Sequence, residues 1–93
     1  MNATRGTLNI VADTTPNTSS NQVLAADMNR VYVCVQNLSD TDMYIRFGAA
    51  ATGGKGDLKI AAGNAWENPS QFAPVEALHL KGGSGKDYTI WHH

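Results

Sequence analysis

A single cysteine, Cys34, stands in the whole 93-residue sequence, which excludes an intrachain disulfide and any multi-cysteine zinc site. It sits inside an apolar run, where a thiol ordinarily packs as a small hydrophobe and does not attack. Charge is scarce as well: 16% of the residues are Asp, Glu, Lys or Arg, seven basic against eight acidic, with a formal net charge of -1. A soluble domain typically carries ~25%. With no basic cluster, neither nucleic acid nor an anionic membrane is expected as a partner. No apolar run approaches the ~20 residues that cross a bilayer. Met1 to Gly6 lacks the basic-then-apolar opening of a signal peptide, so the chain is expected to be made in the cytoplasm and to stay soluble. Also missing is the i, i+3, i+4, i+7 recurrence of apolar residues that a stable helix needs.

What is present is alternation. Val31, Val33 and Val35 share one side of the run from Arg30 to Leu38, with Tyr32, Cys34 and Gln36 on the other. Met43, Ile45 and Phe47 alternate with Tyr44 and Arg46. Between these runs Asn37 to Asp42 is rich in turn formers, and together they predict an antiparallel hairpin. Leu58 and Ile60 pattern a short strand that stops at Ala61-Ala62-Gly63-Asn64, and Trp66 lies in another short extended piece. Leu78 and Leu80 alternate with Ala77 and His79, and Tyr88 and Ile90 with Thr89 and Trp91, on either side of Gly82-Gly83-Ser84-Gly85. That spacing predicts a second hairpin.

Near the start, Leu8 and Ile10 pattern a first strand, whereas Ala12 to Gln22 is polar and aperiodic and reads as a long loop. Gln22 to Ala26 reads as a short edge strand. The expectation is one all-β domain over 1–93, a small antiparallel β-sandwich or barrel of six to eight short strands, with 1–22 as an N-terminal arm plus loop. A domain this small buries only roughly 60 to 65% of its unfolded surface, so self-association would help it. Tyr32, Cys34, Tyr44 and Trp91 all fall opposite the aliphatic stripe of their own strand. A second layer or a neighbouring subunit is expected to cover them.

Motifs for chemistry are weak. In Gly48 to Gly56, a phosphate loop would need Gly at Ala49, Ser or Thr at Gly56 and a following helix, but a strand pattern follows. In Gly82 to Lys86 the first required Gly falls on Leu80. Both read as hairpin connections. The only histidines are His79, His92 and His93, and the last two end the chain, where disorder is expected. Asp40, Asp42, Glu67 and Glu76 read as turn and rim residues. No catalytic residue, metal ligand or cofactor is expected. Trp66, Trp91, Tyr32, Tyr44 and Tyr88 fit core or interface packing ahead of a stacking platform for sugars, and of these Tyr32, Tyr44, Trp66 and Trp91 are the candidate binding residues, as an apolar interface.

The runs Arg30-Val31-Tyr32-Val33-Cys34-Val35-Gln36-Asn37, Met43-Tyr44-Ile45-Arg46-Phe47-Gly48 and Gly56-Asp57-Leu58-Lys59-Ile60, with Gly63 soon after, then Pro74 to Leu80 and Gly85 to Ile90, resemble in order and spacing small virion proteins of tailed bacteriophages. The resemblance covers about two thirds of the chain and leaves the part before Arg30 unmatched. It implies a non-enzymatic, homo-oligomeric structural subunit of the virion. Foremost is a capsid decoration (cement) protein bound to capsid or tail proteins, with Met1 to Gln22 ordering on a neighbour. The alternative is a host-recognition or glycan-binding module of a tail or fibre.

Overall fold

The computed structural model describes residues 7–93. Eight strands form in chain order: β1 (Asn9–Thr14), β2 (Asn21–Leu24), β3 (Val33–Asn37), β4 (Met43–Phe47), β5 (Leu58–Ile60), β6 (Ala65–Glu67), β7 (Leu78–Lys81) and β8 (Asp87–His92). They build two four-stranded sheets, β1-β8-β3-β6 and β2-β7-β4-β5, and every pairing is antiparallel. The architecture is a small β-sandwich.

The alternation seen in the sequence is what closes it. Val33, Val35, Tyr88 and Ile90 point inward from the first sheet and meet Met43, Ile45, Ile60, Leu78 and Leu80 from the second. Seven of these nine are fully shielded from solvent. Each buried aliphatic side chain contributes about 1.5–3 kcal/mol, which in so small a molecule is most of the favourable side of folding. Val11, Val23, Leu24, Phe47 and Trp66 pack around this centre, half-buried.

Neither expected hairpin forms. β3 and β4 lie in opposite sheets, as do β7 and β8, so Leu38–Asp42 and Gly82–Lys86 bridge the two layers and do not turn back within one. The physical reason is that period two records which side of a strand is buried but not which strand lies beside it. Two strands facing across a core leave the same pattern as two strands side by side. β4 instead pairs with β5, Tyr44 opposite Lys59 and joined by the Gly48–Gly56 loop, and on its other side with β7.

Asn37 fixes the first crossing. It is fully buried at the end of β3; its Nδ2 donates to Thr41 O at 2.7 Å and Ile60 O at 2.9 Å, while its Oδ1 accepts from Ser39 N at 2.9 Å. Gly82 fixes the second, since a Cβ there would stand 2.7 Å from Met43 Cγ inside the core.

Two further expectations change. β3 begins at Val33, and Val31, assigned to the buried stripe, is exposed because its N–H turns to His93 O at 2.8 Å. The stretch read as arm and loop contributes two strands: β1 reaches Thr14, past the expected loop start at Ala12, and β2 begins at Asn21. The first six residues of that arm lie outside the described residues.

Candidate functional site

The outer faces of the two sheets differ in chemistry. On the second sheet, Tyr44 stands between Lys59 and Lys81, and Arg46 stands opposite His79. Each cation there has local business: Arg46 Nε donates to Asp57 at 2.7 Å, Lys59 meets Asp42 at 3.3 Å, and Lys81 Nζ donates to Thr18 O at 2.7 Å. This is a solvated polar face.

On the first sheet the register sets Ile10 beside Trp91, Trp91 beside Cys34 and Cys34 beside Glu67, in one row across all four strands. Ile10 keeps 59% of its surface exposed and Trp91 41%, an apolar row open to water. The row exists because even-numbered residues of β1 and β3 and odd-numbered residues of β8 share this face. Leu8 and Tyr32 extend it beyond the strand ends. Tyr32 lies against His93, ring centroids 5.6 Å apart, while its N–H and carbonyl exchange bonds with His93 at 2.9 and 3.1 Å. Burial, with the Glu67 carboxylate and Cys34 nearby, pushes the Tyr32 phenol up to about 12. Burial likewise raises the Cys34 thiol, which leaves it a poor nucleophile at neutral pH.

Beside the row opens a groove of about 510 Å³, walled by Arg30, Val31, Tyr32, Phe72 and His93 among others. That lies within the range of ligand-sized clefts, ~300–1,000 Å³. Phe72 and Val31 on its rim are the more exposed members, at 64% and 52%. Arg30 forms its floor from a buried position, with Nη1 donating to Pro74 O at 2.7 Å and Glu76 O at 3.0 Å and Nη2 to Ala25 O at 2.6 Å. These bonds tie the segment before β3 to the one before β7. Asn68 holds the far wall: its Oδ1 accepts from Val33 N at 2.8 Å and its Nδ2 donates to Phe72 O at 3.0 Å.

Of the four residues singled out in the sequence, the structure brings two together. Tyr32 and Trp91 share the outer face of the first sheet. Tyr44 lies on the opposite sheet among lysines. Trp66 pairs with Val35 on the inner side and packs half-buried against Phe47, centroids 5.8 Å apart, so it takes the core-packing place also open to it from the sequence. Ile10, Val31 and Phe72 join the site without having been anticipated. Ile10 carried a signal, its place opposite an inward-facing Val11; Phe72 sits in an aperiodic segment and carried none.

The remaining candidates for chemistry are also placed. In the Gly48–Gly56 loop the amides that could cradle a phosphate are taken: Asp57 Oδ2 accepts from Thr52 N at 2.9 Å and Gly53 N at 2.7 Å. Burial alone would raise the Asp57 carboxyl, but those two N–H groups and the Arg46 guanidinium outweigh it and hold it below its usual range. His79 lies in the sheet opposite His92 and His93, so the three do not converge, and no group of three or more metal-ligating side chains forms among the described residues. His92 is the last residue of β8, and His93 exchanges backbone hydrogen bonds with Tyr32.

No protein-family model, curated protein or solved structure matches this chain.

Proposed function

We propose that the protein is a non-enzymatic assembly subunit that works by covering and being covered, foremost as a capsid decoration (cement) protein of a tailed-phage virion. One observation carries this reading: the outer face of β1-β8-β3-β6 carries an apolar row of Ile10, Trp91 and Cys34, ending at Glu67, while the opposite face carries Arg46, Lys59 and Lys81, each with a local partner. Contiguous apolar surface on one side only is the mark of a face meant for a partner. The virion assignment adds the resemblance of residues 30–90 to small phage structural proteins. A cement subunit binds the assembled shell better than its loosened form and stabilises the shell by mass action, so a modest patch repeated over many copies suffices.

The test is co-sedimentation with assembled capsids and tails of the phage whose genome encodes the chain. The wild type is expected to pellet with one of them at a fixed copy number, and the double variant Ile10→Ser/Trp91→Ser to stay in the supernatant while keeping its fold. Absence of the wild type from both pellets sinks the proposal. The glycan-binding alternative would use the groove between Tyr32 and Phe72, with Trp91 on the neighbouring face. Quenching of tryptophan fluorescence by a soluble glycan, lost in Tyr32→Ala, would select it.

A further inference from the structure

Among the described residues four strands stand at sheet margins, and three are poor templates for another chain. β6 has three residues and runs into Asn68-Pro69; β5 has three with Lys59 at its centre; β2 has four, and its register with β7 shifts between Gln22 and Leu24. Short length, lysine, proline and bulges are the devices that keep sheet edges from pairing. β1 has no lysine, proline or bulge. It runs six residues in unbroken register with β8, and its single charge, Asp13, falls on the inward side near the strand's end, away from Ile10.

The direction of its free groups follows from the ladder. Thr15 donates its N–H to Lys86 O at 2.9 Å, toward β8. Alternation then turns Asn9, Val11 and Asp13 toward β8 and the N–H and C=O of Ile10, Ala12 and Thr14 to the open side, with Leu8 continuing the series. Thr14 is already served, since its N–H donates to its neighbour Asp13 Oδ1 at 2.7 Å. The open part of the edge is thus centred on Ile10, and its side chains Leu8, Ile10 and Ala12 are all apolar and all on the outer face.

We propose that β1 pairs antiparallel with β1 of a second copy, Ile10 opposite Ile10, making one continuous eight-stranded sheet. This rests on the assembly-subunit reading and names its self-contact. The strand is complementary to itself in this register: Leu8 faces Ala12 of the second copy, and the two Asp13 carboxylates sit at opposite ends roughly 20 Å apart, beyond a Debye length. The outer row then runs Cys34, Trp91, Ile10 and on through the second copy's Ile10, Trp91 and Cys34 without a polar break. Centring the pair on Val11 would set Thr14 against Leu8 and require the Thr14 N–H to leave Asp13. One strand seam is smaller than a standard interface of ~1,600 Å², so the dimer is concentration-dependent.

Sedimentation equilibrium up to about 1 mM, paired with residue-resolved amide hydrogen exchange at low and high concentration, tests the contact. Exchange at Ile10 and Ala12 is expected to slow about tenfold or more as dimer forms, while Val11 and Asp13, facing β8, stay protected throughout. Ile10→Lys should weaken association about tenfold or more with an unchanged circular dichroism spectrum. Ala12→Pro, which removes an outward N–H only, should do the same; should it unfold β1, Ile10→Lys still decides. A monomer at every concentration overturns the proposal, as does a dimer indifferent to Ile10→Lys with fast exchange at Ile10. A monomer that nevertheless pellets with capsids defeats the pairing and keeps the assembly reading; a β1-paired dimer that pellets with nothing does the reverse.

Discussion

Asn37 donates from its buried side-chain amide to the backbone carbonyl of Ile60, 2.9 Å away, so a residue at the end of β3 in one sheet holds the edge strand β5 of the other. The same amide reaches Thr41 O within the crossing it closes. The crossing and a strand 23 residues further on thus meet at one side chain that solvent never touches.

Asn37→Leu keeps the forked shape, with more bulk, and removes every one of these bonds. Leaving the Ile60 and Thr41 carbonyls unpaired in the interior should cost about 2–3 kcal/mol. In a domain of this size that lowers Tm by roughly 10–20 °C. Urea denaturation measures it, and a loss below about 0.5 kcal/mol would show that the crossing does not depend on Asn37.

Gly82→Ala should destabilise by about 1–3 kcal/mol, because its Cβ has nowhere to go but into the buried Met43 side chain. Gly54→Ala is the matched control. Nothing lies within 4 Å of a Cβ there, and its φ is not in the left-handed region, so stability should stay within about 0.5 kcal/mol of wild type. Thermal melts of the two side by side separate core crowding from a general glycine effect.

The two tryptophans should part company. Trp66→Ala strips a half-buried ring from the core margin and from Phe47 and is expected to cost about 2–3 kcal/mol while leaving particle binding intact in the folded fraction. Trp91→Ala should cost about 1 kcal/mol or less and abolish particle binding. The reverse pattern, read by denaturation and co-sedimentation, would put the proposed docking face on the wrong side of the first sheet.

Acid should destabilise the protein in two steps. Burial, reinforced by Arg30, depresses the basicity of His92 in the fold; the unfolded chain therefore takes up the proton first, and stability falls as pH drops from about 6.5 toward the lowered folded value. Asp57 is held below its ordinary 3.8 by the loop amides and Arg46, so its contribution is complete above that value and is lost as pH falls through its lower folded pKa. In chemical denaturation across pH, His92→Gln should flatten the first step only and Asp57→Asn the second only.

Side-chain facing was legible in the sequence; neighbour relations were not. Val33/Val35, Met43/Ile45, Leu78/Leu80 and Tyr88/Ile90 announced their buried side because each strand has one wet and one dry face. The turn-forming Asn37-Leu-Ser-Asp was read correctly as a change of direction, yet its residues satisfy an inter-sheet crossing as readily as a hairpin. β1 was cut short at Ala12 because on an edge strand only Val11 is half-buried, and one inward residue makes no period. Trp66 is open between core and interface in the sequence for a similar reason: three residues, Ala65–Glu67, are too few to fix a phase, and only their pairing with Cys34 to Gln36 turns the indole inward. At the candidate site, Trp91 and Tyr32 could be placed by parity, whereas Phe72 arrives through the local turn from Asn68 to Phe72, an aperiodic stretch whose residues do not say which way the ring points.

The position of β8 between β1 and β3 sets a clock on biosynthesis. Thr14 bonds Asp87 across 73 positions of chain. A ribosome adding about 5–20 residues per second therefore exposes β1 roughly 4–15 s before its lateral neighbour emerges. Throughout that wait the strand least protected against foreign backbones is unpaired on both margins, so crowded polysomes are where nascent copies would first find one another.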